Sequence, residues 1–387
     1  MNARVPFLWL CGPSGVGKTT VGFEIFRQLT NAGSATAFVD ADQLGLCYPS
    51  PADDPYNHRI KARNLGAVWA AFRAAGAESV VMSGGFEVAE QISAYMDHVP
   101  EAALKLCRLR AGRATLIDRF IARGWMPHLA SEAAAEADEL DRLDFAELRV
   151  DTDGQSVAEI AQVVCERAGG WPARVDGREP TAPHDVPAAA STSADLGDTV
   201  PVLMLCGATA VGKSTVGYEV FTRVRSEVKA AYVDLAQIGF CHSAPADDPD
   251  NHRLKAANLA AMWPAFRDAD ARCLIVTGRV NDAAAIRVYA EALYGMTLTV
   301  CRLHAGPEAL TERILRRGRG EGPAIAGEEL RGKPLAHLQQ TAEQAVRDAD
   351  RLHRDRVGDL WVDTDGCSVE EAAELISVSF RSAPAPS

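Results

Sequence analysis

One pattern, G-x-x-x-x-G-K-[ST], limits what this chain can fold into, because it occurs twice, at 12–19 and at 207–214. Each copy follows a short apolar run and opens a helical pattern, the strand–loop–helix context that the motif requires. Both copies sit inside a longer repeat. Leu-Cys-Gly at 10–12 returns at 205–207, Val39-Asp40 returns as Val233-Asp234, and Cys-Arg-Leu at 107–109 returns at 301–303. Pro-Ala-Asp-Asp-Pro at 51–55 returns at 245–249, followed both times by x-Asn-His-Arg-x-Lys-Ala-x-Asn-Leu. Val-Asp-Thr-Asp-Gly at 150–154 returns at 362–366. Gly12 to Gly207 is 195 residues and Val39 to Val233 is 194. That period is far above the ~20–50 residues of solenoid repeats, so each copy is expected to be a whole domain.

The expected units are 1–169 and 199–382. Between them, 170–198 opens with Gly-Gly-Trp-Pro and continues in Pro, Ala, Ser, Thr and Asp without a hydrophobic period, which reads as a flexible linker. In the first unit, apolar runs at 6–11, 35–39, 79–83, 103–109 and 148–150 alternate with helical patterns near 17–31, 56–75, 87–97, 113–123, 131–143 and 156–168. Strands without polar alternation, separated by helices, indicate an α/β fold with a parallel sheet covered on both faces. Ligands of such sheets bind at the carboxyl ends of the strands, where both glycine-rich loops fall.

The loops predict nucleotide binding. Gly12, Ser14, Gly15, Val16, Gly17, Lys18, Thr19 and Thr20 form the first cradle; Gly207, Thr209, Ala210, Val211, Gly212, Lys213, Ser214 and Thr215 form the second. Backbone N–H groups would wrap phosphates, assisted by the positive end of the following helix. Lys18 and Lys213 would reach the outer phosphates, and Thr19 and Ser214 would ligate Mg²⁺. Ala210 replaces Gly15 in the second loop, a position that varies within the pattern.

Acid and base candidates follow. The second strands end in Val-Asp40-Ala-Asp42 and Val-Asp234-Leu-Ala236. A carboxylate there could orient an acceptor hydroxyl, bind Mg²⁺ through water, or cap the next helix. The second unit has alanine where Asp42 stands. Asp54 and Asp248, each before proline, read as caps of the next helix, with Pro at its first position. The chain has seven lysines, and Lys61 and Lys255 occupy matched positions. A compact point charge there suggests an anion partner. Arg59, Lys61 and Asn64, with Arg253, Lys255 and Asn258, make a candidate acceptor-binding face; a solvated helix face is the alternative. His58 and His252 read as surface residues, and Trp69, Phe72, Trp263 and Phe266 as packing. Arg119 and Arg123, matched by Arg313 and Arg317, are each four apart on one helix face. Positive charge on a mobile lid would suit phosphoryl transfer. The stretch from Arg123 to Val150 is 27 residues and that from Arg317 to Val362 is 45, so the second lid is 18 longer.

Composition narrows the partners. Fifty-two acidic residues against 40 basic give a net charge of −12, which argues against a general nucleic-acid or membrane-surface binder. No apolar stretch approaches a membrane span, and the N-terminus has no cleavable signal pattern, so cytoplasmic residence is expected. The nine cysteines include no C-x-x-C pair and lie mostly in apolar runs, as inert reduced thiols would.

On these motifs each unit resembles the small P-loop kinase family that includes adenylylsulfate kinase, gluconate kinase and chloramphenicol phosphotransferase. The loop at 12–20 resembles the phosphate loop of adenylylsulfate kinase. Val-Asp40-Ala-Asp42 resembles its D-G-D segment, whose second Asp is the proposed base. Lys61 and Asn64 fall near its R-x-x-N substrate contacts, with Lys in place of Arg. The resemblance implies two P-loop NTPase domains, each a five-stranded parallel sheet in the order 2-3-1-4-5, flanked by helices, with an Arg-bearing lid. It also implies ATP, Mg²⁺ and a small hydroxyl acceptor. Met82-Ser83-Gly84-Gly85-Phe86 and the Pro-Ala-Asp-Asp-Pro loop depart from adenylylsulfate kinase, so reaction class is transferred and substrate is not. The leading expectation is a small-molecule kinase with the first unit the catalyst. The alternative is a regulatory or non-catalytic NTP-binding protein. Pairing of the units within one chain is also open.

Overall fold

The structure is a computed structural model and describes residues 4–86, 88–122, 130–143, 145–172, 199–242, 244–280, 282–321, 326–327 and 330–382. Arg123 and nearly all of the 170–198 linker lie outside the described residues.

The first half runs β1 (Val5–Cys11), α1 (Lys18–Asn31), β2 (Thr36–Asp40), β3 (Cys47–Tyr48), α2 (His58–Ala74), β4 (Ser79–Ser83), α3 (Glu90–Met96), β5 (Ala102–Arg110), α4 (Arg113–Ala122), α5 (Ala130–Leu140), β6 (Leu148–Asp151) and α6 (Val157–Arg167). The second runs β7 (Pro201–Cys206), α7 (Lys213–Val224), β8 (Ala230–Asp234), α8 (His252–Asp268), β9 (Cys273–Thr277), α9 (Ala283–Ala292), β10 (Thr297–His304), α10 (Pro307–Gly318), α11 (Leu335–Arg354), β11 (Leu360–Asp363) and α12 (Val369–Ser382). No helix among the described residues is long and apolar enough to cross a membrane.

The first sheet is parallel, in the order β2-β4-β1-β5-β6. The second is mixed and six-stranded, in the order β11-β10-β7-β9-β8-β3. Its sixth strand comes from the other half, which corrects the expectation of five parallel strands. Each sheet would otherwise end in an open edge, and an edge strand presents unpaired N–H and C=O groups. Here the halves cover each other. Cys47 and Tyr48 pair antiparallel with Ala231 and Ala230 at the edge of the second sheet, and Cys241 pairs with Ala37 at the edge of the first. Tyr232 N–H donates to Leu46 O at 2.8 Å, Phe38 N–H to Phe240 O at 2.9 Å, and His242 N–H to Thr36 O at 2.8 Å.

The strand period decides which core each side chain joins. On β1, Phe7, Trp9 and Cys11 face a core shared with Val202, Met204 and Cys206 of β7. Leu8 and Leu10 face the other way, onto α1 and α6. Leu203 and Leu205 do the same in the second half. Trp69, Phe72, Trp263 and Phe266, all buried, fill the shared core between the sheets from α2 and α8. Because both faces are covered, the inner strands β1, β4, β7 and β9 read as near-continuous apolar runs, while the edge strands β6 and β11 alternate.

The crossing arms carry aromatic anchors. Phe240 sits with its ring centroid 5.0 Å from Phe23 and 5.9 Å from Phe38 of the first half. Tyr48 packs on Phe221 of the second half, with the Arg225 guanidinium 5.3 Å from its ring centroid. Phe240→Ala is therefore expected to destabilise the chain by about 2–4 kcal/mol, below the full cost of a completely buried Phe. Because the core is common, urea denaturation should show one transition for both halves; two separated transitions would contradict the shared core.

Candidate functional site

Both phosphate loops leave the sheet at a central strand and end at a helix start. Gly12 and Gly207 have φ of +135° and +143°, and a Cβ on them would lie 2.5 Å from Leu109 O and 2.6 Å from Leu303 O. Only glycine allows that turn. Lys18 Nζ donates to Gly12 O (2.8 Å) and Pro13 O (3.1 Å), and Lys213 Nζ to Ala208 O (2.7 Å). Ala210 has φ +64°, the left-handed region that Gly15 occupies at +88°. A side chain there costs ~1–2 kcal/mol. Glycine would return about 0.4–1 kcal/mol of that through the unfolded chain. Ala210→Gly is thus expected to raise the unfolding free energy by ~0.5–1 kcal/mol, measurable by denaturant titration; a loss of stability would mean the loop is not strained.

The acids at the strand ends meet the loops. Thr19 Oγ1 donates to Asp40 Oδ2 at 2.5 Å, and Ser214 Oγ to Asp234 Oδ2 at 2.6 Å. The other carboxylate oxygens accept from Asp42 N–H (2.9 Å) and Ala236 N–H (3.0 Å), so each acid also caps the short 3₁₀ turn that follows. Two roles weighed against each other in the sequence thus coexist in one side chain. Burial, then the charge of Asp42, push the Asp40 carboxyl up, against the Thr19 hydrogen bond.

Asp42 stands at the mouth of the cleft, its side chain 60% exposed, with Lys61 Nζ 2.7 Å from Oδ1. Its crowded surroundings oppose ionisation, but the Lys61 ammonium outweighs them and holds the Asp42 carboxyl below its ordinary value. Lys61 is buried, which opposes its charge, yet Asp42 raises its pKa. The lysine stem lies across Gly45, where a Cβ would come within 2.5 Å of it. Lys255 crosses Gly239 in the same way, but with Ala236 opposite it turns to Asp250 O at 2.5 Å. Burial lowers its pKa.

Other candidate residues have structural tasks. Asn64 and Asn258 are fully buried and donate to Leu44 O (2.7 Å) and Ile238 O (2.6 Å), fixing the 3₁₀ turns instead of lining an acceptor face. Arg59 and Arg253 fold back on Asp53 (2.8 Å) and Asp247 (2.9 Å) of their own loops. Asp54 receives the N–H groups of His58 (2.8 Å) and Arg59 (3.0 Å), so it does cap α2, but Pro55 lies in the preceding turn and Asn57 at the N-cap. His58, read as a surface residue, is buried with Nδ1 2.9 Å from Tyr95 Oη; His252 makes the matching contact to Tyr289 at 3.0 Å.

Arg119 and Arg313 also differ from the lid role expected of them. Arg119 Nη1 donates to Val16 O (3.2 Å) and Thr152 Oγ1 (2.9 Å), and Nη2 to Thr152 O (3.0 Å). Arg313 repeats this with Val211 (3.3 Å) and Thr364 (2.9 and 2.8 Å). Each guanidinium clasps the phosphate loop to the loop after the last strand, and its five fixed donors suit that task. The sequence reading assigned Thr152 and Thr364 no role, although the repeated Val-Asp-Thr-Asp-Gly contained the signal. Arg317 lines a cavity of about 340 Å³ with Val211, Thr215, Arg313, Cys367 and Ser368, a volume within the ~300–1,000 Å³ of small-ligand pockets. In the first half, Ser14 N–H of the phosphate loop donates to a Glu136 carboxylate oxygen of α5 at 3.1 Å, so an anion already engages one loop amide.

The chain is similar in structure to small P-loop kinases. The tunicamycin resistance protein of Deinococcus radiodurans matches at 20% identity over 43% of this chain and 96% of its own, with a TM-score of 0.34. Shikimate kinase of Acinetobacter baumannii matches at 16% over 44% and 97%, with a TM-score of 0.32. The APS kinase of Mycobacterium tuberculosis, solved with AMPPNP and APS, matches at 22% over 43% and 98%, with a TM-score of 0.29. No family model and no curated protein matches the chain.

Proposed function

We propose that the protein is an ATP-dependent phosphotransferase that moves the γ-phosphate to a hydroxyl of a small molecule, with the first cleft as the catalyst. One observation carries this reading: beyond a phosphate loop, Asp40 contacts Thr19 while the neighbouring Asp42 opens to the cleft against Lys61. The hydroxyl of Thr19 and the carboxylate of Asp40 are hard oxygen donors of the kind that suits Mg²⁺. Mg²⁺, when bound, neutralises charge on the transferring phosphate. Loop amides and Lys18 hold the donor phosphates. Asp42, kept ionised by Lys61, accepts a hydrogen bond from the acceptor hydroxyl, aligns its oxygen for in-line attack and takes its proton. A strong base is unnecessary, because the transition state is loose and positioning dominates.

The test is to incubate the chain with γ-labelled ATP, Mg²⁺ and panels of sugars, alcohols, nucleosides and hydroxylated antibiotics, and to follow label into product. Transfer to one class of alcohol is expected. Tight nucleotide binding with no transfer to any hydroxyl compound would favour a nucleotide-binding switch instead.

A further inference from the structure

Three of the matched differences between the two clefts change charge. Asp42 corresponds to Ala236, Gly85 to Arg279 and Tyr56 to Asp250. Arg279 stands two residues past β9. The last residue of that strand, Thr277, is in register with Leu205 of β7 and Asp234 of β8. Gly278 N–H donates to Leu205 O at 3.1 Å. Arg279 is thereby set on the sheet edge between the strand that feeds the phosphate loop and the strand that ends in Asp234.

Lys213, Lys255 and Arg279 lie at this end of the sheet, among Asp234, Asp248 and Asp250. Asp234 is the strand-end acid, and its oxygens already accept from Ser214 and Ala236. Asp348 takes Arg279 at 3.3 Å, but it also takes Arg351 at 3.1 Å, so one carboxylate serves two guanidiniums. The new acid, Asp250, meets Lys255 through its backbone carbonyl, while its carboxylate lies 3.9 Å from His252 Nε2. Arg279 thus only shares its acid, and a bound anion would complete its pairing, whereas a neutral alcohol would find no counterpart of Asp42 to take its proton.

We propose that the second cleft is a binding site for a phosphate group, beside the nucleotide, and not a site of transfer to an alcohol. This rests on reading the regions beyond the phosphate loops as acceptor clefts. Two sources share the chemistry, a phosphorylated small molecule of the kind the first cleft would release, and free inorganic phosphate.

The experiment is calorimetric titration of the full chain saturated with MgADP, which fills the phosphate loops. Glycerol 2-phosphate is the probe in one arm and inorganic phosphate in the other. One site per chain is expected. Arg279→Gln keeps a donor for Asp348 and removes the charge, and should weaken binding at least tenfold; Arg279→Lys should restore most of it. Asp42→Asn, which leaves Lys61 a partner, with Gly85→Arg should build a second phosphate site in the first half, where a Cβ at 85 meets nothing within 4 Å. Tighter binding of the ester assigns a phosphorylated compound, tighter binding of the ion assigns free phosphate, and either upholds the site. Absence of binding in both arms, equal affinity in wild type and Arg279→Gln, or phosphate that only displaces ADP would overturn it. The titration needs no turnover, so a chain that transfers no phosphate can still pass or fail it.

Discussion

Asp42→Asn is expected to slow phosphate transfer about 10²–10⁴-fold, the usual contribution of a positioned acid–base group, while nucleotide affinity changes little. The substitution is nearly isosteric. An asparagine carbonyl can still accept from Lys61, which lies 2.7 Å away in the native pair, so the buried ammonium keeps a partner and the cleft keeps its shape. What is lost is the negative charge that draws the acceptor hydroxyl and the site that receives its proton. The loss should therefore appear in kcat more than in the KM for ATP. Asp42→Ala would be a poorer test, because a buried cation stripped of its partner destabilises the fold by itself. An unchanged kcat in Asp42→Asn, with the acceptor found by label transfer, would remove Asp42 from the mechanism.

The second large effect is an inequality between matched residues. Lys18→Ala should lower transfer ~10²–10³-fold, as loss of one preorganised charge at a transferring group does. Lys213→Ala should leave transfer within about threefold of wild type, because a single transition-state charge worth 10²–10³ is at stake only where transfer occurs. Each variant should lose nucleotide from its own loop, so equilibrium dialysis should count one fewer nucleotide per chain in either case. Equal loss of activity from the two variants would show that both clefts transfer phosphate, or that neither works without the other.

Local features were legible in the sequence because they depend on neighbours along the chain. The phosphate loops, the parallel apolar strands and most helices fall within a few residues of the periodicities that announce them. What escaped was set by partners far away. Nothing in Leu46–Tyr48 says that it will lie on an edge 184 residues later, as Cys47 does on Ala231. Arg119 has the spacing of a lid residue, yet Val16 and Thr152 claim it first. Asn64 has the spacing of a ligand contact, yet the Leu44 carbonyl claims it. For Arg119 and Asn64, a backbone acceptor that is costly to leave unpaired took a donor that the motif had offered to a ligand.

The crossed arms bear on how the two clefts came to differ. An isologous pair of identical subunits must use the same patch on both sides, so any substitution appears in both copies at once. An acid lost from one cleft is then lost from the other, and a cation gained is gained twice. Joining the copies through one chain breaks that bookkeeping. The reciprocal arms still hold the pair together, now at an effective concentration set by the linker instead of by dilution. One cleft can keep its Asp42 while its twin trades the acid for alanine and acquires Arg279. Covalent fusion thus turns a symmetry that would have forbidden specialisation into a scaffold that tolerates it.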